Sequence, residues 1–106
     1  MRLYMLLVWG IIRTMKAALL QHSKFLHADG LIEIAIWRVP EPIKPSEHGY
    51  KYRLVYIVDG VRVVGYDNER GKGDHKHFGA IEVAYMFRGL AALLDDFWQD
   101  VNGRTK

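Results

Sequence analysis

The chain has 106 residues, half of them apolar and a quarter charged, enough for one domain with one core, which argues against disorder and excludes a second core. It has no cysteine, so disulfides and thiolate metal sites are ruled out. The formal charge of +3 is mild and two of those charges are Arg2 and Arg13, so only local clusters of bases can support a nucleic-acid argument.

Residues 1–14, MRLYMLLVWGIIRT, differ in composition from the rest of the chain. An apolar run from Leu3 to Ile12, broken only by Gly10, has the look of a signal-peptide start but is too short to span a bilayer. No small-x-small cleavage pattern comes after it, and Met15 with Lys16 makes a second plausible start. The expectation is an apolar extension over 1–14, reflecting an upstream start, and a single cytoplasmic domain over 15–106. A packed helix or strand and a targeting segment are the alternatives.

Two hairpins come next. Asp29-Gly30 separates ALLQHSKFLHA from LIEIAIWRV, and Asp59-Gly60 separates KYRLVYIV from VRVVGYD, each a two-residue turn signal between runs rich in β-branched and aromatic residues. Between them PEPIKPSEHG carries all three prolines and is a loop. Toward the C-terminus Phe87, Leu90, Leu94, Phe97 and Val101 recur at helical spacing with Ala91 and Trp98, Asp95, Asp96 and Gln99 face away, and Gly103 is a stop. The fold class is α+β: an antiparallel sheet of four or five strands, built on two DG-turn hairpins and covered by a C-terminal helix.

With Asp59-Gly60 as the turn, an unbroken register sets Arg53 opposite Tyr66, Tyr52 opposite Asp67 and Lys51 opposite Asn68. Lys51, Arg53, Tyr66 and Asn68 then share one face, cationic at one end and apolar at the other, which can seat a phosphate chain or be a solvated strand end. Tyr50, Tyr52 and Tyr56 share the other phase, as stacked bases or, more simply, core packing under the helix requires.

The stretch from Tyr66 to Gly79, YDNERGKGDHKHFG, gathers Asp67, Glu69, Arg70, Lys72, Asp74, His75, Lys76 and His77 among three glycines, the composition of a site rather than of a connector. His75 and His77, two apart, point the same way in an extended chain. They suit a general acid and base, since histidine titrates near neutrality, or two ligands on one metal. Arg70, Lys72 and Lys76 supply charge for a phosphorane-like transition state. Asp67 and Glu69 act as base or orient the imidazoles. The metal alternative joins His75 and His77 to Asp74, Asp67 or Glu69 around Zn, Mn or Fe. A merely charged, hydrated loop is the plain alternative. GKG followed by Asp is not a nucleotide P-loop, which excludes an ATPase. His22 and His27 are surface or packed histidines, Trp37 and Trp98 core or edge aromatics, and nothing in the sequence places His48.

KYRLVY at 51–56 and above all YDNERGKGDHKHFG at 66–79 resemble the TumE family, toxins of type II toxin–antitoxin pairs, with the likeness running from Met15 to Val101. The resemblance implies a small toxin neutralised by a helix-turn-helix antitoxin; an oligomer with that antitoxin and no membrane partner are further expectations. By fold-level analogy with other small α+β toxins, it points to RNA, including ribosome-bound mRNA, as the target. The expectation is a metal-independent endoribonuclease: His75, His77, Glu69 and Asp67 carry the acid/base chemistry, and Lys51, Arg53, Tyr66, Arg70, Lys72 and Lys76 bind RNA phosphate. The alternatives are a divalent-metal nuclease or hydrolase using the HxH pair and a non-catalytic inhibitor that binds ribosome or nucleic acid.

Overall fold

The computed structural model describes residues 17–104; the apolar segment at 1–14 lies outside the described residues. Alternating β-branched and aromatic residues form six strands: β1 Ala18–His27, β2 Gly30–Arg38, β3 Tyr50–Val58, β4 Val61–Glu69, β5 Gly73–Phe78 and β6 Ile81–Ala84. They lie in chain order in one antiparallel sheet, and a helix, α1, spans Leu90–Arg104. The α+β class is as expected. The sheet has one strand more than the upper expectation because the segment read as a loop is itself a hairpin, β4 to β5, and β6 extends it.

The core lies between α1 and one sheet face. Ile32, Ile34 and Ile36 of β2, Tyr52, Leu54 and Tyr56 of β3, and Val64 and Tyr66 of β4 pack with Leu93, Phe97 and Val101, which recur every four residues along α1. Each such side chain contributes about 1.5–3 kcal/mol by leaving water. Leu90, Leu94 and Trp98 flank that stripe half-buried, and Ala91 is exposed. Phe87 precedes the helix, and Gly103 lies in its last turn instead of ending it. Tyr52 and Tyr56 take the core role rather than that of a stacking platform. On β1, Phe25 and His27 pack against Trp98 with ring centroids 6.1 and 5.1 Å apart.

Two register expectations are corrected. In the first hairpin the turn residues are Ala28 and Asp29, and Gly30 already pairs with His27. Gly30 is needed for close approach: a Cβ there would lie 2.4 Å from the Ile57 carbonyl oxygen and 2.7 Å from the Tyr56 ring. In the second hairpin Asp59 and Gly60 do form the turn, with φ of 51° and 77°, but β4 carries a bulge that leaves Val63 without a partner between Arg62 opposite Ile57 and Val64 opposite Tyr56. Arg53 therefore lies opposite Asp67, and Tyr66 opposite Leu54. One inserted residue exchanges faces: Tyr66 and Asn68 turn toward α1, while Asp67 and Glu69 join Arg53 and Lys51 on the other side.

Candidate functional site

The β4–β5 hairpin turns through residues 70–72. Gly71 and Gly73 have φ of 86° and 80°, and a Cβ on Gly73 would sit 3.1 Å from Pro45 Cγ, so backbone conformation and space both call for glycine there. The Gly71 amide donates to the Lys44 carbonyl at 2.8 Å, tying the proline loop to the turn. Beyond the turn the ladder sets His75 opposite Asp67 and His77 opposite Gly65, so both imidazoles emerge on the face turned away from α1.

There they converge on one carboxylate. Asp67 Oδ1 lies 2.9 Å from His75 Nε2 and 3.2 Å from His77 Nε2, and the two ring centroids are 5.0 Å apart. Both histidines are buried, with 3% and 7% of their surface exposed. Glu82, opposite His77 in the register, brings Oε2 to 3.2 Å from His75 Nε2, and Glu69 Oε1 stands at 3.9 Å. His75 Nδ1 lies 2.9 Å from the Gly73 carbonyl oxygen, which can only accept, so that nitrogen carries the proton. Its Nε2 is buried and makes no hydrogen bond, for neither nearby carboxylate meets it with the required geometry. Lys72 reaches Glu82 at 3.0 Å and Glu69 at 3.6 Å, and its ammonium, hydrogen-bonded to Glu82, holds that carboxyl below the usual range. An open depression of about 300 Å³, lined by Lys72, His75, Glu82 and β6, gives access from the sheet edge.

Further cations of this face are Lys51, Arg53 and Arg62. Arg53, opposite Asp67, pairs with Glu33 at 3.3 Å and is half exposed. The Lys51 ammonium donates to the Asn68 carbonyl. Arg62 runs across Gly65, where a Cβ would come within 2.8 Å of its Cδ, and so lies along the row that leads to His77.

Asp74, one residue before His75, points the other way. It accepts from Ser46 Oγ at 2.5 Å, from Tyr52 Oη at 2.6 Å and from His48 Nε2 at 2.7 Å. Burial raises its pKa, but those three bonds outweigh it and hold the carboxyl below its ordinary value. Burial and the bond to Asp74 together push the Tyr52 hydroxyl far up. His48 also accepts from the Tyr50 amide and stacks on Phe87 at 3.8 Å. Asn68, fully buried, accepts from the Tyr52 amide and donates to the Tyr50 carbonyl and Ser46 Oγ, closing the network beneath the proline loop.

The anticipated site thus divides between two faces. His75, His77, Asp67, Glu69, Lys72, Arg53 and Lys51 share one; Asp74, Lys76 and Tyr66 lie on the other. Asp74 cannot join the histidines around a metal, and Asp67 takes that place. Tyr66 donates to Asp100, and Lys76 lies over the Tyr66 and Phe78 rings at 5.7 and 5.2 Å. Arg70 sits at the turn beside Val39, Pro40 and Glu41, away from the histidines. A larger depression of about 400 Å³ lies at the α1 side near Tyr66, Tyr85, Asp96 and Asp100, but Tyr66 and Tyr85 already engage its two carboxylates. Glu82 and Arg62 were not anticipated. Glu82 alternates with Ile81 and Val83 after the Gly79-Ala80 turn, a short strand signal that reveals its side only once β5 is known to be a strand.

An open antiparallel sheet, with one face closed by a helix and the other carrying a buried histidine–carboxylate cluster, defines a small α+β protein. The chain belongs to the family described as toxin TumE, whose model matches residues 14–105. Membership makes it the toxin of a toxin–antitoxin pair, with an antitoxin as partner. No curated protein and no solved structure matches it. Among the described residues, no helix is long and apolar enough to cross a membrane.

Proposed function

We propose that this toxin inhibits growth as an endoribonuclease whose reactive centre is the Asp67, His75 and His77 cluster. The observation that supports it most is the convergence of both imidazoles on one carboxylate, in a buried spot with Lys72, Arg53 and Glu69 around it. The reaction is transesterification: the ribose 2′ oxygen loses its proton and attacks phosphorus, the bond to the 5′ oxygen breaks, and that oxygen takes up a proton from solvent. The products carry a 2′,3′-cyclic phosphate and a 5′ hydroxyl. An acid and a base on opposite sides of a scissile bond need separate, accessible nitrogens, whereas His75 is engaged at Nδ1 and both Nε2 atoms meet at Asp67. The half-exposed Glu69 is better placed to take the 2′ proton. Lys72 and Arg53 hold the phosphate and supply positive charge to the phosphorane. Target RNA includes mRNA on the ribosome.

Induced expression of the wild type, His75→Ala/His77→Ala and Glu69→Gln, with RNA ends mapped, tests this. Expected are growth arrest and cyclic-phosphate ends in the wild type only. Arrest that persists undiminished in the double variant with RNA intact would sink the nuclease and leave a binding inhibitor, whose arrest should instead fail in Lys51→Glu/Arg53→Glu.

A further inference from the structure

Three potential ligand atoms, Asp67 Oδ1, His75 Nε2 and His77 Nε2, lie within 4.8 Å of one another. Their state poses a chemical problem. With the His75 proton on Nδ1, a neutral ring presents a lone pair at Nε2 to the Asp67 carboxylate at 2.9 Å and the Glu82 carboxylate at 3.2 Å. Those three groups all bear electron density, and His75 is 97% removed from solvent, so water does not relieve the repulsion. A second proton on the ring gives an imidazolium, but neither carboxylate sits where that N–H could donate, and the nitrogen stays without a hydrogen bond.

A divalent cation resolves both difficulties. It accepts the lone pairs together and neutralises the carboxylates. The His75 Nδ1–H to Gly73 carbonyl bond is then what metal-bound imidazoles generally have: the far nitrogen donates to a backbone oxygen, fixing tautomer and ring orientation. The separations agree as well. Ligands at about 2.1 Å from a metal lie roughly 3.0 Å apart when adjacent in an octahedron and about 3.4 Å in a tetrahedron. The contacts of Asp67 with each histidine and of Glu82 with His75 are 2.9, 3.2 and 3.2 Å.

We infer that Asp67, His75 and His77 hold one divalent transition-metal ion, with Glu82 as a fourth, releasable ligand. Two imidazoles and one or two carboxylates suit Zn²⁺, Mn²⁺ or Fe²⁺ rather than the all-oxygen ions Ca²⁺ and Mg²⁺. Glu82 is the releasable ligand because Lys72 already holds it at 3.0 Å and its side chain is 38% exposed at the mouth of the depression. The cation would add to the positive charge that Lys72 and Arg53 bring to the phosphorane, so the inference rests on the same cluster as that reading, but metal binding can be measured with no RNA present.

The test uses the purified full chain stripped with EDTA. Zn²⁺ and Mn²⁺ are titrated calorimetrically, and Co²⁺ is followed by its visible d–d absorption. Expected are one ion per chain and a Co²⁺ spectrum with nitrogen and oxygen ligation. Asp67→Asn and His77→Ala should weaken binding at least 100-fold, and Glu82→Gln about 10-fold. His48→Ala, on the other face, should leave it unchanged and guards against adventitious histidine sites. Absence of stoichiometric binding by the folded wild type, or equal binding by the wild type and Asp67→Asn, overturns the inference whatever the variants do to stability. Stoichiometric binding without RNA cleavage upholds the metal and removes the nuclease; cleavage by stripped protein that takes up no metal does the reverse.

Discussion

Two polar clusters, each joining an aspartate to histidine, lie back to back across this sheet, and they differ in how completely their polar atoms are satisfied. On the α1 side Asp74 collects hydrogen bonds from Ser46, Tyr52 and His48, Asn68 uses its oxygen and nitrogen within the protein, and His48 is bonded at both nitrogens. On the opposite side Asp67 faces two imidazoles, and His75 Nε2 is left with two carboxylates nearby and no hydrogen bond. Asp74 and His75 are adjacent in sequence, so the strand's alternation alone sends one to each cluster. The satisfied cluster fastens the proline loop to β3 and β5. The other keeps electrostatic tension that packing does not need, the usual mark of a group held for a ligand or a reaction.

The comparison breaks most directly if both clusters prove structural. His75→Ala/His77→Ala should abolish growth arrest while the sheet stays folded, the cavities left by two buried rings costing about 1–3 kcal/mol. Colony counts beside a thermal melt measure both. A double variant that unfolds would mean that the histidines hold the sheet together.

Asp74→Ala should behave in the opposite way. It strands a serine, a tyrosine hydroxyl and a histidine in a largely buried place, at a cost of about 2–4 kcal/mol, or roughly 10–25 °C in melting temperature for a domain of this size. The same carboxylate sets an acid limit. Its folded pKa lies below the ordinary 3.8, so its stabilisation is present above 3.8 and is lost as pH falls through that value toward the folded one. Melts at pH 7 and pH 3 should show a smaller acid-induced drop in Asp74→Asn than in the wild type. An equal drop would assign acid sensitivity to other carboxylates.

Gly30→Ala is the next step down. The new methyl meets the Ile57 carbonyl at 2.4 Å, backbone that cannot swing aside, so β2 and β3 must part locally, at about 1–3 kcal/mol by chemical denaturation. Destabilisation by Asp29→Ala as large as this would return the conformational demand to the turn.

Much of this architecture was legible from residue type and spacing. The Asp59-Gly60 turn, the helix that carries Phe97 and Val101, and the concentration of charged residues and histidines between Asp67 and His77 all follow from local pattern. The faces did not, because a single unpaired residue, Val63, reverses every side chain beyond it, and no composition signal marks a bulge inside VRVVG. That is why Tyr66 and Asn68 were expected beside Arg53, where Asp67 stands. Asp74 was expected among the histidines because sequence proximity conceals alternation once a stretch is taken for a loop instead of a strand. Glu82 required β6, a strand of four exposed residues whose position is set by pairing with β5.

The smallest effect divides the roles within the unsatisfied cluster. Lys72 is half exposed and paired with Glu82 and Glu69, so Lys72→Ala should leave the melting temperature nearly unchanged. The loss acts in opposite directions on the two ligands proposed for this face. Removing a cation beside the cluster frees Glu82 and lessens repulsion of a divalent ion, so Zn²⁺ affinity should stay level or rise severalfold. RNA phosphate loses an attractive partner, so cleavage should fall severalfold at low salt, with the difference narrowing as salt screens the charge. Parallel titrations of metal and RNA in one buffer series provide the measurement. Opposite movements would place Lys72 with the phosphate and Glu82 with the metal; a joint fall would make the Lys72 to Glu82 pair a brace that orients the metal ligands instead.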